Sequence, residues 1–142
     1  MRLDAASCWE RLRSSPSGVL STVHPERGAD PVPVVFCVVD EQVVVPIDTV
    51  KPKGAGRLQR LRNLDVDPRV ALLVDHYEAD WAHLWWVRVH AHAVEAPPSP
   101  AVLDALAAKY PAYRAPGTVL STIVLTPIAI TGWSANASAV TP

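Results

Sequence analysis

Lys51 and Lys53 are two of only three lysines in a chain that otherwise carries its positive charge on ten arginines. Lysine presents a compact, mobile point charge, which suits a phosphate approached from one side. The pair stands between an apolar run, VVVPI at 43–47, and the sequence Gly54, Ala55, Gly56, Arg57. Thr49 adds a hydroxyl, and the two glycines let a ligand come close to the backbone. If a helix opens here, its unpaired N–H groups and positive end also favour an anion. The P-loop pattern GxxxxGK[ST] is absent. A solvated basic helix start uses the same residue types, and the strand–loop–helix placement favours the anion site.

A second group is aromatic. Asp80, Trp81, Ala82, His83, Leu84, Trp85 and Trp86 run consecutively, and adjacent Trp85 and Trp86 on a strand point to opposite faces. At most one fills the core of its own subunit, so the other faces a ligand, a partner or solvent. His90 and His92 share a strand face at a spacing that can ligate a metal. No Cys, Asp or Glu sits at matching spacing on that face; Asp75, His76, Glu78 and Asp80 could add ligands from the preceding strand and turn, but the group reads as polar residues of an exposed face and a charged turn, and no metal site is assigned. Gly-x-Ser-x-Gly, His-Glu-x-x-His and paired-carboxylate patterns are all missing. An enzyme built on this chain therefore relies on a cofactor for its chemistry, and no catalytic residue is assigned; His76 and Tyr77 are the candidate proton donors.

The elements that position these groups follow from period and turn chemistry. A first helix is expected over residues 5–13, with Asp4 as N-cap and Trp9 and Leu12 inward. Strands are expected at 19–23, 32–39 and 42–47, separated by HPERG and by Asp40-Glu41. Those intervals are too short for βαβ crossovers, so the pairing is antiparallel. Over residues 54–66, Leu58, Leu61 and Leu64 recur every third position and define a helix that Pro68 closes. Strands at 69–76 and 84–94 follow, then a helix at 101–109, then one or two strands over 118–131 with Pro127 as an interruption or bulge. About six strands with short helices close most simply as a barrel, which hides the sheet edges.

The 142 residues fit one domain spanning the chain, and 49% hydrophobic composition allows a sizeable core. Five Trp against one Phe point to apolar surface buried between subunits as readily as to an ordinary core. A net charge of -1 argues against general nucleic-acid binding. No apolar run approaches a membrane span, and the N-terminus carries no signal-like apolar stretch, so a cytoplasmic location is expected. Cys8 and Cys37 read as buried, reduced and structural.

The ordered pattern resembles the pyridoxamine 5'-phosphate oxidase-like split-barrel superfamily, and more closely its actinobacterial branch that uses the deazaflavin coenzyme F420. The segments that carry the resemblance are GVLSTV from Gly18, PVPVVF from Pro31 and KPK at 51–53. RLQRLRN from Arg57, DPRVALLVDHYEADWAHLWWVRV from Asp67, KYPAYR from Lys109 and TGWSA from Thr131 complete it. The resemblance implies a mainly β fold with short helices, a six-stranded antiparallel split β-barrel of the FMN-binding type, working as a homodimer. It implies a flavin-like ring along residues 32–36, including Val34, with Pro46 and Ile47 close by and Asp48 among the cofactor-binding residues. The phosphate is held by Lys53, helped by Lys51, Thr49 and Arg57, and Arg60 meets the acidic tail of the cofactor. Trp86 matches a ring-contacting position, and Trp133 matches a tryptophan supplied by the other subunit. One departure stands out: Gly54, Ala55 and Gly56 lie where relatives carry hydroxyls.

The expectation is a dimeric F420-dependent oxidoreductase passing hydride from a reduced deazaflavin to a small conjugated substrate. The alternatives are the same barrel loaded with FMN, or a non-catalytic barrel that carries a cofactor or binds haem through His76 or His90.

Overall fold

Strands β1 (Gly18–His24), β2 (Gly28–Val34), β3 (Cys37–Val39), β4 (Gln42–Asp48), β5 (Arg69–His76), β6 (Trp85–Ala96) and β7 (Val119–Ser134) are joined by helices α1 (Ala5–Ser14), α2 (Gln59–Val66) and α3 (Pro100–Lys109). The computed structural model describes residues 1–48 and 57–136. All seven strands belong to one antiparallel sheet, in the order β2-β1-β5-β6-β7-β4-β3. The two strands at opposite ends of that order, β2 and β3, are joined by only Val35 and Phe36. A flat sheet cannot bring its outer strands that close, so the sheet curls back on itself as a split barrel.

Among the described residues the count is seven rather than six, because the stretch expected as one strand at 32–39 breaks at residues 35–36. Phe36 there turns fully inward, with 0% of its surface exposed. Its peptide is clamped from α3: Lys109 Nζ donates to Phe36 O at 2.9 Å, and Phe36 N donates to Tyr110 Oη at 3.1 Å. The Lys109 ammonium also sits 4.1 Å from the centre of the Phe36 ring. The interior is filled from both faces of the fold by Leu20, Val45, Leu72, Val87, Val89, Ile123 and Leu125. In β6 the inward Val87, Val89, Ala91 and Ala93 alternate with exposed Arg88, His90, His92 and Val94, the period-two pattern read from the sequence.

The helices begin where their caps dictate. Asp4 accepts from Ser7 N at 2.8 Å to open α1, and Ser99 accepts from Val102 N at 3.2 Å to open α3, where Pro100 takes the first helical turn. Cys8 and Leu12, one turn apart, face the core from α1. The helix can approach β7 so closely because position 132 is glycine: a Cβ there would stand 2.7 Å from Cys8 Sγ. Cys8 and Cys37 are both free and buried, as expected. Strand β7 runs straight through Pro127, because the register with β6 slips between His90 and Ala91 and the bulge spares the missing N–H.

Candidate functional site

The sequence points to a ligand between β4 and α2, where the described residues stop at Asp48 and resume at Arg57. Ile47 and Asp48 end β4, both largely buried, and Ile47 pairs with Ser121 of β7. Thr49, Lys51 and Lys53, with the Gly54, Ala55 and Gly56 that follow, lie outside the described residues. Leu58, Leu61 and Leu64 face the core from the α2 segment as their spacing required.

Helix α2 is locked to the barrel by Asn63, which is fully buried. Its amide donates to Thr22 Oγ1 at 2.8 Å and to Asp30 Oδ2 at 3.0 Å, and accepts from Gln59 Nε2 at 2.8 Å. Arg60, one turn earlier on the same face, is thereby carried against β2. It lines a cavity of about 230 Å³ with Arg27, Asp30, Pro31, Val32 and Gln59. Burial pushes the Arg60 guanidinium below its usual range, and the nearby Asp48 charge opposes that shift. Its Nε is buried with no hydrogen-bond partner among the described residues. Val32 and Val34 share one face of β2; Val34 belongs to the core and Val32 packs on it.

Asp48 is fixed by Tyr113, whose phenol donates to its carboxylate. Burial first, then that bond and the Asp48 charge, raise the Tyr113 phenol well above its usual value, so it stays protonated. Tyr113 packs edge-on against Tyr110 at 5.8 Å, and Tyr110 in turn holds Phe36. The sequence reading did not assign Tyr113, Asn63 or Asp30 to the site. KYPAYR carried the first only as part of a family pattern, and no periodicity marks a buried polar anchor such as Asn63.

Arg57 is engaged elsewhere. Its guanidinium bonds Asp65 at 3.0 Å and Glu95 at 2.9 Å, and Glu95 accepts from Ser121 Oγ at 3.1 Å. This ties the start of α2 to the far ends of β6 and β7, beside Ile47.

Trp86 and Trp133 are direct cross-strand partners, Trp86 beneath the Arg88 guanidinium at 5.1 Å. Trp85 faces the other way and packs on the core beneath Arg11, so only one of the adjacent pair is a core residue of this chain. Nine positions of β6 separate Trp86 from Glu95, about 30 Å along the strand. Within one chain the tryptophan pair and the β4–α2 region therefore occupy opposite ends of the barrel.

The match to a known family decides what barrel this is. The family model described as pyridoxamine 5'-phosphate oxidase matches residues 6–134. The chain belongs to the pyridoxamine 5'-phosphate oxidase family. Solved structures share the fold at low identity. An FAD-binding protein from Mesorhizobium loti superposes with a TM-score of 0.68 at 16% identity, covering 93% of this chain and 95% of that one. The FAD binding protein from Mycobacterium smegmatis gives 0.63 at 18% identity, over 94% and 98%. The haem storage protein HutZ from Vibrio cholerae gives 0.65 at 16% identity, over 94% and 95%. No curated protein sequence matches the chain. The family's split barrel is thus shared by proteins whose names specify different ligands, and the ligand has to be argued from the residues of each.

His90 and His92 lie exposed on β6, as expected from their alternation. Among the described residues the chelating side chains that do gather are Glu78, Asp80 and His83, on the connection between β5 and β6.

Proposed function

We propose that this chain is a homodimeric oxidoreductase that binds a flavin-type cofactor, coenzyme F420, by its phosphate at the β4–α2 connection, with Lys53 as the principal anchor. The observation that carries this reading is the half-buried Arg60, whose Nε has no partner among the described residues. A buried charged donor left without an acceptor is costly, and an anionic ligand removes that cost. Arg60 opens onto the cavity that includes Val32, on the strand assigned to the ring. The donor set therefore fits an anionic, ring-bearing ligand. The two FAD-binding neighbours support a flavin-type ligand, and the sequence resemblance to the F420 branch supports the deazaflavin over FMN, which is the alternative.

When bound, the reduced deazaflavin supplies a hydride for a small conjugated acceptor. The protein's part is placement. Lys53, Lys51 and Thr49 hold the phosphate, Arg60 receives a second acidic group, and Asp48 steadies Arg60 by its charge. Val34 and Ile47 supply apolar wall, excluding water from the reacting face. Arg57, already neutralised by Asp65 and Glu95, orients α2 and adds little charge. Trp86 and Trp133 enter the site as a unit from the partner subunit, because the pair lies at the opposite end of its own barrel. The outer face offers apolar surface for such a contact: Val19 and Leu73, cross-strand neighbours, are each 39% exposed.

Replacing Arg60 with Met tests the carrying observation. Replacing a half-buried guanidinium whose Nε has no acceptor by an apolar side chain leaves the stability of the ligand-free protein little changed. Cofactor affinity, followed by quenching of F420 and FMN fluorescence, falls about tenfold or more. An Arg60→Met protein that binds as tightly as the parent removes Arg60 from the site. Tight FMN binding without F420 binding corrects the cofactor.

A further inference from the structure

Outside the cofactor region, the connection from β5 to β6 collects four ligating side chains within eight positions. His76 closes β5, Glu78 and Asp80 occupy the turn, and His83 ends a single 3-10 turn, Trp81–His83. Both imidazoles converge on one carboxylate: His76 Nε2 stands 2.7 Å from Glu78 Oε2, and His83 Nδ1 stands 2.6 Å from Glu78 Oε1. Asp80 Oδ2 lies 3.8 Å from the same His83 nitrogen. The backbone fixes this arrangement, because Asp80 Oδ1 caps the 3-10 turn by accepting from Ala82 N at 3.1 Å, which leaves Oδ2 toward His83.

We infer that His76, Glu78, Asp80 and His83 form a binding site for a divalent transition-metal ion of the zinc class. Two imidazole nitrogens with carboxylate oxygens are the donor set such borderline ions prefer, whereas calcium and magnesium favour oxygen alone. The spacing fits. Donors at about 2.0–2.1 Å from a tetrahedral zinc stand about 3.3 Å apart. The two imidazole–carboxylate distances must open by about 0.6 Å and the His83–Asp80 distance must close by a similar amount. All four side chains are exposed or partly so, which leaves them free to make that small rotation. The ring nitrogens that face Glu78 must be free of hydrogen when the ion binds, so a neutral ring takes the tautomer protonated on its other nitrogen and a charged ring gives one proton to solvent. His76 also lines a cavity of about 440 Å³ with Asp75, Trp85, Leu73 and Pro33, so one side of the ion would border a protein-walled space.

Calorimetric titration of the full-length, tag-free protein with zinc, nickel and cobalt(II) ions, each alone, tests the assignment. One ion per chain is expected, with a cobalt visible spectrum of low-coordinate nitrogen–oxygen type. His83→Gln and Glu78→Gln should each weaken binding about tenfold or more, while thermal melting stays as in the parent. The double variant His90→Gln/His92→Gln should bind as the parent does. Absence of saturable uptake of all three ions overturns the site, as does an affinity that His83→Gln leaves unchanged or that the His90/His92 double variant abolishes.

Discussion

The phenol of Tyr113 donates its hydrogen bond to the carboxylate of Asp48, the last residue of the strand that leads into the candidate cofactor site. Tyr110, the cap of the 3-10 turn Pro111–Tyr113 that follows α3, grips Phe36, where β2 passes into β3 and the barrel closes. The closure of the fold and the position of Asp48 are therefore set by one short element after α3. Asp48 in turn faces Arg60 electrostatically, so a disturbance at Tyr113 is transmitted to the proposed anion site.

Tyr113→Phe removes a bond to a buried carboxylate and should destabilise the protein by about 1–2 kcal/mol. It should also change the response to alkali. The fold raises the Tyr113 pKa, while the unfolded chain releases that proton near pH 10. Above that pH the unfolded state binds fewer protons than the folded one, so stability is full below it and falls as pH rises. Thermal melts between about pH 9 and 11 should show a shallower decline for Tyr113→Phe than for the parent. Identical slopes would show that Tyr113 does not carry this dependence.

Asn63→Ala strands both Thr22 Oγ1 and Asp30 Oδ2, the acceptors its amide now serves. The expected loss is about 2–3 kcal/mol, read from urea unfolding, and it falls on the helix that carries Arg60. Native-state hydrogen exchange should show α2 opening ahead of β5 and β6 in this variant. Uniform exchange across the barrel would mean that Asn63 is not the anchor of α2.

The two-residue turn between β3 and β4 places both Asp40 and Glu41 at positive φ, 49° and 58°. Asp tolerates that region; Glu does not favour it, and Asp-Gly is the pair such a hairpin prefers. Glu41→Gly should therefore stabilise the protein by about 0.5–1 kcal/mol, seen as a higher melting temperature with cofactor binding unaltered. A lower melting temperature would indicate that the Glu41 side chain makes a compensating contribution.

Much of the barrel was legible because its signals are local. The cap at Asp4, the leucines of α2 and the alternation of β6 each act within a few residues, and the strands follow from them. Two features resisted. The break at Val35 and Phe36 is invisible in an unbroken apolar run, because it is imposed by Lys109 and Tyr110 from more than seventy positions away. The end-to-end separation of Trp86 from Ile47 is likewise a property of strand register. Residue types named both as site members, and only pairing shows that one barrel cannot bring them together. Lys51 and Lys53 stay at the level of sequence, since 49–56 lie outside the described residues; Arg60 and Asp48 are the structurally described charges of the region.

The most direct test of the phosphate anchor is cofactor titration of Lys53→Ala beside the parent protein, with F420 and FMN in separate experiments and thermal melting as the control. The predicted result is saturable F420 binding by the parent that weakens about tenfold or more in Lys53→Ala with no change in melting temperature. An affinity left unchanged by Lys53→Ala would contradict the account at its centre.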